Sequence, residues 1–163
     1  MADQELIDDL IYWARAGELN EIETSKADPE LFVAKDESGK TALHMASANN
    51  HLEIVQYILQ QISTKDKKLV DVQNEQGNTA LHWAALNGHY EVVEALVKAG
   101  SDCTIKNVMN HSPIYEAQQR NHEKVAEFFM TTMVEQSEEA VDEDKQYVET
   151  GVQPLKKAVE EEK

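Results

Sequence analysis

A segment of this chain is written twice. Residues 39–59 read GKTALHMASANNHLEIVQYIL, and residues 77–97 read GNTALHWAALNGHYEVVEALV. Gly39, Thr41, Ala42, Leu43, His44, Ala46, Asn49, His51, Glu53 and Val55 recur as Gly77, Thr79, Ala80, Leu81, His82, Ala84, Asn87, His89, Glu91 and Val93, at a constant offset of 38. A repeat of this length holds one supersecondary unit that cannot bury its apolar face alone, so the copies must stack.

Two weaker copies flank the pair. NHSPIYEAQQRNHEKVAEFF begins at Asn110, with Ser112-Pro113-Ile114-Tyr115 standing where Thr79-Ala80-Leu81-His82 stood. At the other end Ala14-Arg15-Ala16-Gly17-Glu18-Leu19 follows the pattern of Ala85 to Tyr90, without the Thr-Ala-Leu-His segment. The linking positions Gly17, Asn50, Gly88 and Asn121 are separated by 33, 38 and 33 residues. The five extra residues fall within Ser63–Leu69 and predict a longer second helix or loop there. Gly39 and Gly77 suit a turn needing positive φ, and Thr41 and Thr79 suit helix N-termini. Ala46, Ala84 and Ala85 permit close helix approach, while Ile54, Val55, Ile58, Leu59 and Val92, Val93, Leu96, Val97 form apolar stripes at helical spacing.

These residues resemble the ankyrin repeat, with its period of 33 and its T-P-L-H-x-A signature. The resemblance implies an all-α solenoid of about four helix-turn-helix units with short turn loops, at about residues 3–35, 36–73, 74–106 and 107–134. It covers roughly residues 5–134 of the chain. Residues 1–134 are expected to form the repeat domain. Residues 135–163, rich in Glu, Asp and Lys and interrupted by Gly151 and Pro154, are expected to form an acidic, largely disordered tail.

Charge narrows the function. The net charge is −16. Residues 1–30 carry nine acids and two bases, residues 134–163 ten and four, and the stretch between them twelve and nine, so the acidity is concentrated at the two ends. Such a polyanion repels phosphate backbones and anionic lipid and attracts basic proteins, which argues against direct nucleic-acid or membrane binding. No apolar run approaches the ~18 residues of a membrane span, and the first residues have no signal-peptide character, so an intracellular protein is expected. Cys103 is the single cysteine, and no P-loop, G-x-S-x-G, H-E-x-x-H or C-x-x-C pattern occurs. No enzyme activity, cofactor or metal is expected. His44 and His82 lie one repeat apart, where the resemblance implies hydrogen bonds to the Thr hydroxyl and a neighbouring backbone.

In ankyrin proteins the turn tips and the exposed face of the inner helices form the binding surface. The residue between the H and the A of the signature is left free by the scaffold: Met45, Trp83 and Glu116, with Tyr12 at the matching place in the first unit. Tyr12, Met45 and Trp83 are expected to form an apolar column flanked by Asp8, Asp9, Glu37 and Glu75, suited to a basic amphipathic segment; the alternative is that Met45 and Trp83 fill gaps between adjacent helices. The tip residues Ser38, Lys40, Gln76, Asn78, Val108, Met109 and His111, with Ala48, Asn49, Leu86 and Asn87, complete the expected surface. The order of the units also resembles the fungal ankyrin-repeat ribosome-biogenesis factors that chaperone small-subunit ribosomal protein S3. That resemblance implies a basic 40S client held soluble and escorted from cytoplasm to nucleus, by a protein that is monomeric when free. The alternatives are a general adaptor or an inhibitory or regulatory subunit of another complex.

Overall fold

The structure is a computed structural model that describes the backbone of residues 2–148 and the side chains of residues 3–138. The described elements are all helical. Helices α1 (Ala2–Ala16) and α2 (Leu19–Ser25), α3 (Ala42–Ala48) and α4 (Leu52–Ser63), and α5 (Ala80–Asn87) and α6 (Tyr90–Lys98) form successive pairs. They are followed by α7 (Pro113–Gln119) and α8 (Glu123–Val148). Two short 3-10 turns, Pro29–Val33 and Lys67–Asp71, follow α2 and α4. The chain divides into two units, residues 1–127 and residues 128 onward. The first holds the stack, in which α1, α3, α5 and α7 pack in that order as inner helices.

Each inner helix from α3 onward starts in the same way. Thr41, Thr79 and Ser112 are N-caps whose side-chain oxygens accept the backbone N–H of His44, His82 and Tyr115, satisfying a donor that the first turn leaves unpaired. The turn ahead of each cap is closed by a short polar side chain. Asp36 Oδ1 accepts from the backbone N–H of Ser38 and Lys40, Asn74 Oδ1 from Gln76 and Asn78, and Asn107 Oδ1 from Met109 and His111. Gly39 and Gly77 take φ of +77° and +75° in the first two of these turns, and a Cβ on either would press on the backbone of the next turn.

Histidines tie one pair to the next. A carbonyl can only accept, so the ring nitrogen facing one carries the proton. His44 Nε2 donates to Asn78 O at 2.8 Å and His82 Nε2 to His111 O at 3.0 Å, while their Nδ1 atoms accept from the Thr41 and Thr79 hydroxyls, each at 2.9 Å. This is the pairing that the repeat resemblance implies. His51, His89 and His122 bond backward, to the carbonyls of Arg15, Ala48 and Leu86 at 3.0, 3.0 and 2.9 Å. Five of the six histidines therefore act as staples between neighbouring pairs.

The five extra residues are shared between helix and link. Helix α4 has 12 residues against 9 in α6, and Thr64–Asp66 lead on to the Lys67–Asp71 turn. The tail departs from expectation. Helix α8 runs without a break to Val148, so residues 135–148 are helical rather than disordered. The composition of that stretch reports only that it cannot bury a core; its Glu, Gln, Ala and Lys are strong helix formers, with no Gly or Pro before Gly151. Residues 149–163, the rest of the expected tail, lie outside the described residues.

One buried group has a direct stability consequence. The Ser47 hydroxyl is fully buried in α3 and has no hydrogen-bond partner among the described residues, whereas the equivalent position one repeat later is Ala85. Replacing a buried unsatisfied hydroxyl with a methyl group removes its desolvation cost. Ser47→Ala is expected to raise unfolding stability by about 1 kcal/mol, read from denaturant midpoints.

Candidate protein-binding site

Three inner helices and two turn tips of the first unit enclose an open groove of about 580 Å³. Its apolar lining comes from Met45 and Ala48 on α3 and Trp83 and Leu86 on α5. Amides of Asn49, Gln76, Asn78 and Asn87 line it as well, and Arg15 and Lys40 supply charge. Trp83 is half-buried, its ring 6.3 Å from that of His44 in an edge-on contact. That contact fixes the indole while leaving part of it to the groove. Asn49 Nδ2 donates to Met45 O and Asn87 Nδ2 to Ala48 O, each spending an N–H internally and leaving the side-chain oxygen for an incoming donor.

The expected apolar column is only partly realised. Tyr12 is 61% exposed, but Met45 is 7% exposed and contributes floor rather than a protruding contact. The cause is position: α3 is sandwiched between α1 and α5, and a long thioether there fills the space between them. Glu116 is not free either. Its Oε1 accepts from Asn107 Nδ2 at 3.2 Å and lies 2.9 Å from His111 Nδ1, which commits it to holding the third tip. Asn78 is likewise occupied, its side-chain oxygen accepting from Asn107 Nδ2 and its carbonyl from His44.

The acids of the expected flank are outside the groove lining itself. Asp8, Asp9, Glu37 and Glu75 are all exposed, yet none of them lines the groove. Arg15 lies three residues beyond Tyr12 and so shares its helix face. Met109, 69% exposed, and Val108, 70% exposed, form an apolar tip on the third turn, which is bonded to the second through Val108 N–H to Gln76 O at 2.9 Å.

A family profile described as ankyrin repeats, in three copies, matches residues 5–107. The chain belongs to the ankyrin-repeat family. An ankyrin repeat-containing protein of Schizosaccharomyces pombe, P16F5.05c, is 44% identical over 149 residues, covering 90% of this chain and 99% of that protein. The ankyrin repeat-containing protein YAR1 of Saccharomyces cerevisiae is 42% identical over 139 residues, covering 78% of this chain and 70% of that protein. Among solved structures, a chain in the crystal structure of yeast ribosomal protein Rps3 in complex with its chaperone Yar1 superposes with a TM-score of 0.74 at 41% identity. That match covers 79% of this chain and 93% of the other.

The ankyrin scaffold here is thus a protein-binding one, and its free groove surface is centred on Trp83, Leu86, Asn49 and Asn87. Of the lining residues, Lys40 and Gln76 stand at the turn tips where a partner is expected to dock, and Arg15 is the one the sequence pattern leaves unmarked. Arg15 follows Tyr12 at helical spacing, and Lys40 and Gln76 each adjoin a turn glycine. Asp36, Asn74 and Asn107, which recur at offsets of 38 and 33, build the tips and lie outside the expected site. At Asp36, burial pushes the carboxyl up, but hydrogen bonds from Ser38 and Lys40, with the Lys40 charge, outweigh it and leave the carboxyl below its ordinary range.

Proposed function

We propose that this protein is a chaperone of small-subunit ribosomal protein S3, binding the new protein and holding it soluble until assembly. The observation that carries the reading is the match, at 41% identity over 93% of the other chain, to a structure solved as a ribosomal protein with its chaperone. Charge supports it. A ribosomal protein away from RNA carries uncompensated positive charge, and a chain of net charge −16 attracts it and speeds encounter. Asp3, Glu5, Asp8 and Asp9, all exposed on α1, supply part of that field. The apolar groove then supplies short-range contact.

The mechanism is occlusion with charge neutralisation, and it involves no catalysis. The work begins in the cytoplasm, where ribosomal proteins are made, and ends in the nucleus, where the subunit precursor forms. Titration of purified S3 tests the reading. The protein should bind S3 directly, and Trp83→Ala should weaken the complex by about 2 kcal/mol, roughly 30-fold, because a half-buried indole in a groove is an anchor. Unchanged affinity in a folded Trp83→Ala protein would remove the groove from the binding site.

A further inference from the structure

Arg15 and Lys40 are out of place in an acidic protein. The chain has 31 acidic residues against 15 Lys and Arg, yet the ten residues lining the groove include two cations and no carboxylate. Among the described residues neither side chain forms an ion pair, unlike Lys98, which pairs with Glu94. The Lys40 charge is felt by Asp36, whose carboxylate is already occupied by hydrogen bonds from Ser38 and from the Lys40 backbone. The groove therefore has a cationic portion beside the apolar surface of Trp83, Met45 and Leu86.

We infer that this groove reads an acidic side chain of its client: the docked segment carries an Asp or Glu that pairs with Arg15 and Lys40, next to an apolar side chain seated over Trp83. The inference rests on the client reading above and adds a specificity rule to it. Net charge draws in any basic protein, but a segment that is only basic would leave two cations facing cations, at a cost that excludes it. A carboxylate among apolar neighbours satisfies both and fixes the register of the segment. Long-range attraction then selects the class of partner, and the groove selects the sequence.

The test turns on sign. Arg15→Glu with Lys40→Glu makes the protein more acidic by four charges, which on net charge alone should strengthen binding to S3. We expect the opposite, a loss of at least fivefold in affinity for purified S3. The control, Lys65→Glu with Lys68→Glu, makes the same charge change at exposed positions outside the groove and should bind S3 at least as tightly as the unmodified protein. Far-ultraviolet circular dichroism should match across all three proteins, and binding is read well below each melting temperature, because reversing Lys40 removes the charge that supports Asp36. A loss smaller than fivefold, no change, or a gain for the groove variant would overturn the inference, as would an equal loss in the control. Failure of the unmodified protein to bind S3 would instead overturn the client reading, and this inference with it.

Discussion

Acidification from pH 7 to pH 4 is expected to remove about 3 kcal/mol of unfolding stability through His44 alone. Burial holds the His44 imidazole down to about 4 from an ordinary value of 6.5, the hydrogen bond to Asn78 opposing this only in part. The neutral ring is the one the stack uses, since Nε2–H is given to Asn78 O and Nδ1 accepts from Thr41. The unfolded chain takes up a proton near pH 6.5 and the folded chain does not. The stabilisation is therefore complete above pH 6.5 and drains away as pH falls towards 4. His82 adds a contribution of the same sign, since burial lowers it too, against the opposing hydrogen bond to His111 and the charge of Glu116. Asp36, held below its ordinary range, loses stability only at still lower pH; Asp71, raised by burial, acts in the opposite direction. Denaturant midpoints between pH 7 and 4, with imidazole NMR titrations, check this. His44 should remain neutral at pH 5, and a ring titrating near 6.5 with flat stability would contradict the account.

Gly39→Ala is expected to cost about 3 kcal/mol, lowering the melting temperature by on the order of 10 °C. Two effects combine. The residue has φ of +77°, which an L-residue adopts at a cost of roughly 1 kcal/mol, and the new Cβ would lie 2.8 Å from the backbone N of Glu75 in the next turn. That neighbour is main chain and has no rotamer to change, so the two tips must separate. Gly100→Ala is the internal comparison. Its φ is +98° but nothing lies within 4 Å of its Cβ position, so only the conformational cost of about 1 kcal/mol applies. Thermal melts of the two variants should differ accordingly, and equal losses would refute a tip-to-tip contact at Gly39.

Much of this architecture could be read from the sequence because repetition exposes it. Thr41 and Thr79, His44 and His82, and Gly39 and Gly77 each occupy a position where one geometry recurs. Both threonines cap their helix and bond the histidine ring, both histidines reach the next tip's carbonyl, and both glycines take nearly the same φ. The site was less legible. Whether the residue after the signature His is free depends on what packs beside its helix. The pattern marks Met45, Trp83 and Glu116 as equivalent, yet Met45 is enclosed between α1 and α5 and Glu116 is taken by Asn107 and His111. The cationic character that Arg15 and Lys40 give the groove is hidden by the overall charge, which describes the field at a distance and not the lining of one groove. The helix through residues 135–148 was missed because low apolar content was equated with disorder, although propensity and core-forming capacity are separate properties.

The central claim, that this ankyrin stack is the chaperone of a basic ribosomal protein, is tested most directly by solubility. Purified S3 at physiological salt and without RNA should aggregate alone and remain soluble with an equimolar amount of this protein, followed by light scattering and by elution as a single complex on size exclusion. Unchanged aggregation of S3, with the two proteins eluting apart, would contradict it.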